Sequence, residues 1–133
     1  MLLVNTELRT SSIHGVGCFT LEPIKANQPI WMYDERIDLR FRASDLEGFP
    51  EAIQKFLFTH GYREIHDDFE IIVLCGDNSK YMNHSSRPNL IEGNGDHTLI
   101  NVAAFDIGPG EELTCNYYDF DLDADRKLNT INF

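Results

Sequence analysis

Short runs of apolar and β-branched residues, separated by turn-forming residues, recur along the chain. In strands, such residues form continuous or alternating runs of roughly four to eight positions. In helices, they recur at every third or fourth position. The runs predict strands at residues 2–5, 17–21, 29–33, 71–74, 98–104 and 112–115. Clusters of glycine, proline, asparagine and aspartate between them indicate turns. The pattern therefore predicts a domain in which short strands dominate.

A different pattern occupies the middle of the chain, at about residues 44–62. Ser44 is a candidate N-cap for one short turn, and Pro50 stands at a predicted first helical position of a second segment. Apolar and aromatic residues then recur at helical spacing until Gly61, which would end the helix. One helical insert among many short strands predicts a mostly-β or α+β architecture and argues against a βαβ array.

Length and composition predict one soluble domain that spans residues 1–133. Hydrophobic residues make up 42% of the chain and charged residues 25%, as in an ordinary globular protein. No apolar run approaches the roughly 20 residues of a membrane span, and we expect no membrane insertion and a cytoplasmic location, with the nucleus or a host compartment left open. The 3 cysteines are widely spaced, which predicts free thiols rather than a disulfide framework or a structural zinc site.

The charge balance bears on the partner of the protein. Asp plus Glu number 22 against 11 Lys plus Arg, which gives a net charge of −11. Such a field repels phosphate backbones and attracts basic polypeptides. It therefore disfavours direct nucleic-acid binding and favours a basic protein or peptide as partner. The alternative interpretation is that the acidity only keeps a small protein soluble.

Three short motifs carry the most specific information in the chain. Residues 15–19 read GVGCF, residues 81–89 read YMNHSSRPN, and residues 110–117 read GEELTCNY. In this order and spacing they resemble the signature of SET-domain protein lysine methyltransferases, over about residues 12–118. The resemblance implies a SET-type (β-clip-like) fold of several short curved sheets, with the small helical insert between the two halves and a C-terminal pseudoknot.

The resemblance also implies an enzyme, a protein-lysine N-methyltransferase. Its methyl donor would be S-adenosyl-L-methionine, its acceptor the side-chain amine of a lysine in a basic segment such as a histone-like tail, and no metal would be needed. The cofactor-binding residues implied are Gly15, Val16, Gly17, Asn83 and His84. Without the resemblance, the glycines would equally suit a tight turn, and the asparagine would equally satisfy nearby backbone groups.

The catalytic residue that the resemblance implies is Tyr117, and the candidate walls of a lysine channel are Tyr33, Tyr81, Cys115 and Tyr118. In-line methyl transfer needs alignment and the exclusion of water rather than a metal or a carboxylate base. The amine must also be neutral, which at pH 7 costs roughly 4–5 kcal/mol because its reference pKa is about 10.4. Desolvation in an aromatic channel would favour the neutral form.

The short acidic tail, residues 119–133, lacks the cysteine-rich zinc-binding flank of many SET enzymes. Either this tail closes the lysine channel, or a second copy of the chain does so in a homodimer, or the channel stays open and activity is weak. The alternating aspartates of the tail resemble a calcium loop, but Ala124 and Thr130 replace the glycine and glutamate that such a loop needs. Two alternatives stay open: a catalytically weak or inactive SET-fold binding module, and a β-rich interaction domain outside the family.

Overall fold

Short strands are the commonest regular elements in the part of the chain that the structure describes, residues 1–93 and 100–131 of a computed structural model. The elements are, in chain order, β1 (Thr6–Thr10), β2 (Val16–Thr20), β3 (Pro29–Met32), β4 (Leu39–Arg42), a 3₁₀ helix (Ala43–Gly48), α1 (Glu51–His60), β5 (Tyr62–His66), β6 (Phe69–Leu74), a 3₁₀ helix (Asn78–Tyr81), β7 (Asn83–His84), β8 (Leu90–Glu92), β9 (Ile100–Ala103), β10 (Thr114–Cys115), a 3₁₀ helix (Tyr117–Asp119) and α2 (Ala124–Ile131).

The strands of these described ranges form small separate sheets. β1 pairs with β2, β9 lies between β3 and β8, and β6 lies between β4 and β5, all in antiparallel pairs. β7 and β10 pair in parallel. Because each sheet has only two or three strands, no sheet is wide enough to be stable without its neighbours. The prediction of a mostly-β fold of several small sheets with few helices is confirmed.

Between residues 17 and 74 the predicted strands are found in the structure, whereas the strand predicted at the start of the chain is not. β2, β3 and β6 confirm the strands predicted at residues 17–21, 29–33 and 71–74. The strand predicted at residues 2–5 is wrong, because Leu2 forms only an isolated bridge with Trp31. The first strand is instead β1, whose residues are polar or partly exposed and therefore give no apolar signal.

The strands predicted near the C-terminal motifs are shorter in the structure. β9 covers residues 100–103 of the strand predicted at residues 98–104, whose positions 98 and 99 lie outside the described residues. At residues 112–115, only Thr114 and Cys115 form a strand. Glu112 before them makes an isolated bridge with Phe19, which ties this motif to β2.

The helical insert is confirmed with shifted ends. Ser44 lies inside the first 3₁₀ helix and caps nothing, and Pro50 is the N-cap of α1 rather than its first residue. α1 ends at Gly61, and β5 begins directly afterwards. A Cβ atom at Gly61 would lie 2.7 Å from the carbonyl oxygen of Leu57 and 3.0 Å from that of Val73. A side chain is therefore excluded where the insert meets the sheet of β4, β5 and β6.

The main core lies where β2, β7, β8, β9 and the C-terminal motif meet. It consists of apolar residues that share almost complete burial, with Leu2 and Cys115 packed against them: Val4, Cys18, Ile24, Ile30, Met82, Leu90, Ala103, Ile107 and Leu113. Residues from both C-terminal motifs and from the Gly-x-Gly motif belong to this list. The three motifs therefore share one core, although they lie far apart in the sequence.

The parallel pair of β7 and β10 sets the geometry of the C-terminal half. Thr114 lies opposite Asn83, and Cys115 opposite His84. A parallel pair requires a long crossover, which here runs through β8 and β9. The chain thereby returns to lie beside a segment about 30 positions earlier in the sequence, as a C-terminal pseudoknot requires. The described residues contain no helix that is both long and apolar enough to span a membrane.

Candidate active site

Asn83 joins the second motif to the first through its side chain. Its Nδ2 donates hydrogen bonds to the carbonyl oxygens of His14 at 3.0 Å and Val16 at 3.3 Å, and to Glu112 Oε2 at 3.0 Å. These three partners can only accept, and so the amide must present its nitrogen on this side. Asn83 Oδ1 faces the other way, and none of the described residues donates a hydrogen bond to it. Asn83 is 7% exposed as a whole. Its Oδ1 is not enclosed, since the buried side-chain atoms without a partner in the described residues are Trp31 Nε1 and Arg40 Nε, and so this oxygen is an acceptor open to a ligand.

The Gly-x-Gly segment has a positive φ angle at Gly15 and a close contact with another side chain at Gly17. Gly15 has φ +47°, in the left-handed region where glycine is favoured, and its missing side chain would meet no atom within 4 Å. At Gly17 a Cβ would lie 2.7 Å from the carboxylate of Glu112. Gly15 is thus required by the turn itself, and Gly17 by the packing of the third motif beneath it.

Tyr117 contacts the second motif through both its backbone and its hydroxyl group. Its N–H donates to His84 Nδ1 at 3.1 Å, and its hydroxyl donates to the carbonyl oxygen of Met82 at 2.6 Å. The rings of Tyr117 and His84 meet edge to face at 5.3 Å. Burial lowers the pKa of His84, which keeps Nδ1 free to accept, and raises the pKa of Tyr117, which keeps the phenol protonated at neutral pH.

A cavity of about 160 Å³ lies on one side of Tyr117. The end of α1, β5, β8 and the C-terminal segment surround it. Its apolar and aromatic lining includes Trp31, Tyr62, Met82, Leu90, Cys115, Tyr117 and Phe120. Burial raises the thiol pKa of Cys115 to about 12, so this side chain is a small, uncharged part of the wall.

Carboxylates outnumber cations in the lining of this cavity. The carboxylates are Glu64, Glu92, Asp119 and Asp121, and the basic side chains are His60, Lys80 and Lys127. Lys127 is paired with Asp121, and Glu64 has only a distant partner, Arg40, at 3.9 Å. Burial also raises the pKa of Glu64 and lowers that of His60. The cavity is therefore suited to a group that carries positive charge when it enters.

Residues 120–127, which we call the C-terminal wall, are fastened to the end of the helical insert. Lys127 Nζ donates to the carbonyl oxygen of Gly61 at 2.5 Å and to Asp121 Oδ2 at 2.6 Å, and the side chains of this ion pair are 8% and 2% exposed. Asp121 Oδ1 and the N–H of Leu122 bond to the backbone of Arg63. These contacts place Phe120 against the cavity.

The other channel candidates lie at different distances from the cavity. Cys115 lines it, whereas Tyr33, Tyr81 and Tyr118 are not among its lining residues. The ring of Tyr33 lies 4.0 Å from the guanidinium of Arg40. Tyr81 packs on His60, which itself lines the cavity, and Tyr118 is 57% exposed beside the ring of His84. A channel role for these three tyrosines stays a prediction.

Two aspartates of the tail, Asp121 and Asp123, are paired with basic side chains. Asp121 pairs with Lys127, and Asp123 Oδ2 accepts from Arg63 Nε at 3.1 Å. In residues 1–93 and 100–131, no three His, Cys, Asp or Glu side chains gather in a way that could hold a metal ion. Glu112, Asp121 and Lys127 give no signal of their contacts in the sequence. Each of them bonds to a residue far away in the chain: Glu112 to Ser11, Asp121 to Arg63 and Lys127 to Gly61.

The sequence pattern of the SET domain matches residues 15–118, a range that includes all three motifs. The chain belongs to the SET domain family. The family that the motifs indicated is thereby confirmed, and a β-rich interaction domain outside it is excluded. The matched range of this SET domain ends at Tyr118, and so the C-terminal wall lies beyond it.

Known SET proteins resemble this SET domain in sequence and in structure. It is 31% identical over 113 residues to the histone-lysine N-methyltransferase MEDEA of Arabidopsis thaliana, a match that covers 80% of this chain and 16% of that protein. The chain therefore spans less than a fifth of the length of that relative.

Two solved structures illustrate the likeness of the fold. Polycomb Repressive Complex 2 of Chaetomium thermophilum, in an autoinhibited conformation bound to S-adenosylmethionine, matches 97% of this chain and 17% of its own with a TM-score of 0.65 and 20% identity. A histone methyltransferase candidate of Plasmodium falciparum matches 87% of this chain and 95% of its own with a TM-score of 0.55 and 22% identity. At these identities the likeness establishes the SET fold.

Proposed function

We propose that this SET domain transfers a methyl group from S-adenosylmethionine to the side-chain amine of a lysine in a basic protein, such as a histone. The observation that carries the proposal is the position of Tyr117: it bonds to His84 and Met82 of the second motif on one side and lines an aromatic, acidic cavity on the other. Two similarities support the proposal: a relative in sequence is a histone-lysine methyltransferase, and a solved structure of similar fold contains bound S-adenosylmethionine.

The residues of the three motifs fit the cofactor. Asn83 Oδ1 is an acceptor without a partner, and the ammonium of the methionine moiety is a charged donor of the kind that such an atom needs. The N–H of Ser85 donates to Cys115 across the parallel pair, so the main-chain groups of His84 point to the opposite edge of β7 and stay available for adenine. When bound, S-adenosylmethionine supplies a methyl group on a sulfonium.

The chain's own residues would prepare the acceptor amine. The cavity beside Tyr117 is lined mainly by apolar and aromatic side chains, which suits the four-methylene stem of a lysine side chain. Trp31, Tyr62 and Phe120 would remove water from the amine, which favours its neutral form. Tyr117 donates its own proton to Met82, so its oxygen is left to accept an amine N–H and to orient the nitrogen lone pair.

Charge favours a basic substrate. The chain carries a net charge of −11, and Glu64, Glu92 and Asp119 line the cavity. Such a field speeds the encounter with a cationic protein segment and disfavours nucleic acid. Phe120, Asp121 and Lys127 of the C-terminal wall line the cavity from within one chain, which favours closure by the tail over closure by a second subunit in a homodimer.

Cofactor binding and methyl transfer test the proposal in two steps. Calorimetry should detect S-adenosylmethionine binding, and cofactor with a labelled methyl group should transfer its label to purified core histones. Binding without transfer to any basic protein would favour the alternative, a catalytically weak or inactive SET-fold binding module. Absence of binding at millimolar cofactor would refute both.

Asn83→Ala should weaken S-adenosylmethionine binding by roughly 10- to 100-fold, because a hydrogen bond to a charged group contributes about 1.5–3 kcal/mol. Calorimetry measures this loss. Asn129→Ala, at an exposed position of α2, is the matched control and should bind as the wild type does. Equal affinity of the Asn83 variant and the wild type would remove Asn83 from the cofactor site.

Cys115→Tyr should reduce the number of methyl groups added to one lysine. The small thiol of Cys115 lines the cavity and leaves room for an amine that already carries methyl groups, so we expect di- or trimethyl-lysine from the wild type. A tyrosine would fill that room and shift the product towards monomethyl-lysine, as mass spectrometry of the product would show. Strictly monomethyl product from both proteins would contradict this role.

A further inference from the structure

We infer that Glu112 is a positioning residue for the amino-acid end of the cofactor, through its contact with Asn83. The inference rests on the proposed function and extends it to a residue that touches neither the reacting atoms nor the cavity. Glu112 Oε2 accepts from Asn83 Nδ2 at 3.0 Å, while Ser11 Oγ donates to Glu112 Oε1 at 2.6 Å. One carboxylate thus joins the segment before the Gly-x-Gly motif to the asparagine of the second motif.

The bonds of the Asn83 amide explain why this contact matters. Its two N–H bonds serve three acceptors, and Glu112 is the only charged one. A carboxylate binds an amide N–H more strongly than a carbonyl does. Glu112 therefore opposes the flipped orientation of the amide, which would place Oδ1 against three acceptors and turn the N–H bonds towards the cofactor. An ammonium could not be bound by the flipped amide.

The backbone of the first motif depends on the same carboxylate. The carboxylate lies directly against Gly17, where a Cβ would lie 2.7 Å from it. The backbone of Glu112 is held in place by two contacts. Its carbonyl oxygen accepts a hydrogen bond from Asn89 Nδ2 at 2.8 Å, and Glu112 forms an isolated β-bridge with Phe19. Glu112 is therefore a rigid support beneath two of the predicted cofactor contacts, the Gly-x-Gly segment and Asn83.

Two conservative variants separate the contact from the charge. Glu112→Gln keeps the length of the side chain and an oxygen that can accept from Asn83. It gives up the bond donated by Ser11 Oγ, which already accepts from the N–H groups of Ile13 and His14. Glu112→Asp keeps the charge but withdraws the carboxylate by one methylene. If the contact positions Asn83, Glu112→Gln should bind S-adenosylmethionine within about threefold of the wild type, and Glu112→Asp about tenfold more weakly.

A second ligand separates positioning from general damage to the fold. 5′-Methylthioadenosine lacks the ammonium and carboxylate of the cofactor, so its calorimetric affinity should be the same for wild type, Glu112→Gln and Glu112→Asp. Glu111→Ala is the matched control: this neighbouring carboxylate is exposed and bonds to the N–H of Gly108, and its loss should change neither affinity.

The outcomes are distinct. Selective loss of S-adenosylmethionine binding in Glu112→Asp supports the inference. Equal weakening of both ligands, retention of cofactor affinity in Glu112→Asp, or a larger loss in Glu112→Gln than in Glu112→Asp would overturn it. A wild type that binds no S-adenosylmethionine would instead overturn the proposed function, on which the inference rests.

Discussion

Tyr117→Phe should lower the rate of methyl transfer by about 100-fold, the loss that misplacement at a reacting centre can cause, while the affinity for S-adenosylmethionine stays within about twofold. The hydroxyl of Tyr117 is held by Met82 at 2.6 Å, so its oxygen has a fixed position beside the cavity. Removing that oxygen should leave the amine without an orienting acceptor in the transition state and should affect cofactor binding in the ground state little. Single-turnover kinetics and calorimetry measure the two quantities separately.

The adjacent tyrosine gives a direct comparison for this prediction. Tyr118 directly follows the third motif, but it is 57% exposed and does not line the cavity. Tyr118→Phe should therefore reduce the rate less than Tyr117→Phe does. A larger loss in Tyr118→Phe would transfer the catalytic assignment to Tyr118, and undiminished turnover in Tyr117→Phe would refute the assignment of Tyr117.

Lys127→Met should lower the free energy of unfolding by about 3–5 kcal/mol, because removing one partner of a buried ion pair leaves the other charge buried and uncompensated. The remaining charge is Asp121, whose side chain is 2% exposed and whose other bonds go to the N–H groups of Arg63 and Asp123. The carbonyl oxygen of Gly61 would also lose its bond from the lysine. Urea unfolding followed by circular dichroism measures the change.

Lys55→Met is the matched control for this variant. Lys55 lies on α1 and pairs with Glu51, but both side chains are more than 70% exposed, and such surface pairs stabilise little. The control should change the unfolding free energy by less than about 0.5 kcal/mol. If Lys127→Met were no less stable than Lys55→Met, the ion pair would not hold the C-terminal wall.

The sequence predicted those residues of the site that lie within short motifs. The Asn83-His84 pair and the GEELTCNY segment were recognisable in the sequence, and the structure brings them together in the β7–β10 pair. Their actual partners were not predictable in this way. Nothing local connects Lys127 with Gly61, 66 positions earlier, or Glu112 with Ser11, 101 positions earlier.

The strands that the sequence analysis missed have a common physical reason. β1, β4 and β5 are edge strands with exposed or partly exposed residues, many of them polar or charged. β7 and β8 have only two and three residues. Such segments are held in place by neighbouring strands rather than by their own apolar pattern. α2 was missed for a different reason: its residues are amphipathic, but the helix is short, mostly polar, and directly follows the aspartates of the tail.

The parallel pairing of Asn83–His84 with Thr114–Cys115 has a consequence for how the protein folds. Those segments meet only after the chain between them has formed β8 and β9 and returned, and closing so long a loop is entropically unfavourable until the core packs. We therefore expect Asn83 and Tyr117 to become neighbours late in folding, and a partly folded chain to contain no partial site. Ligand that occupies the site binds only the completed fold, so its binding free energy adds to the stability of the whole domain and slows its global opening.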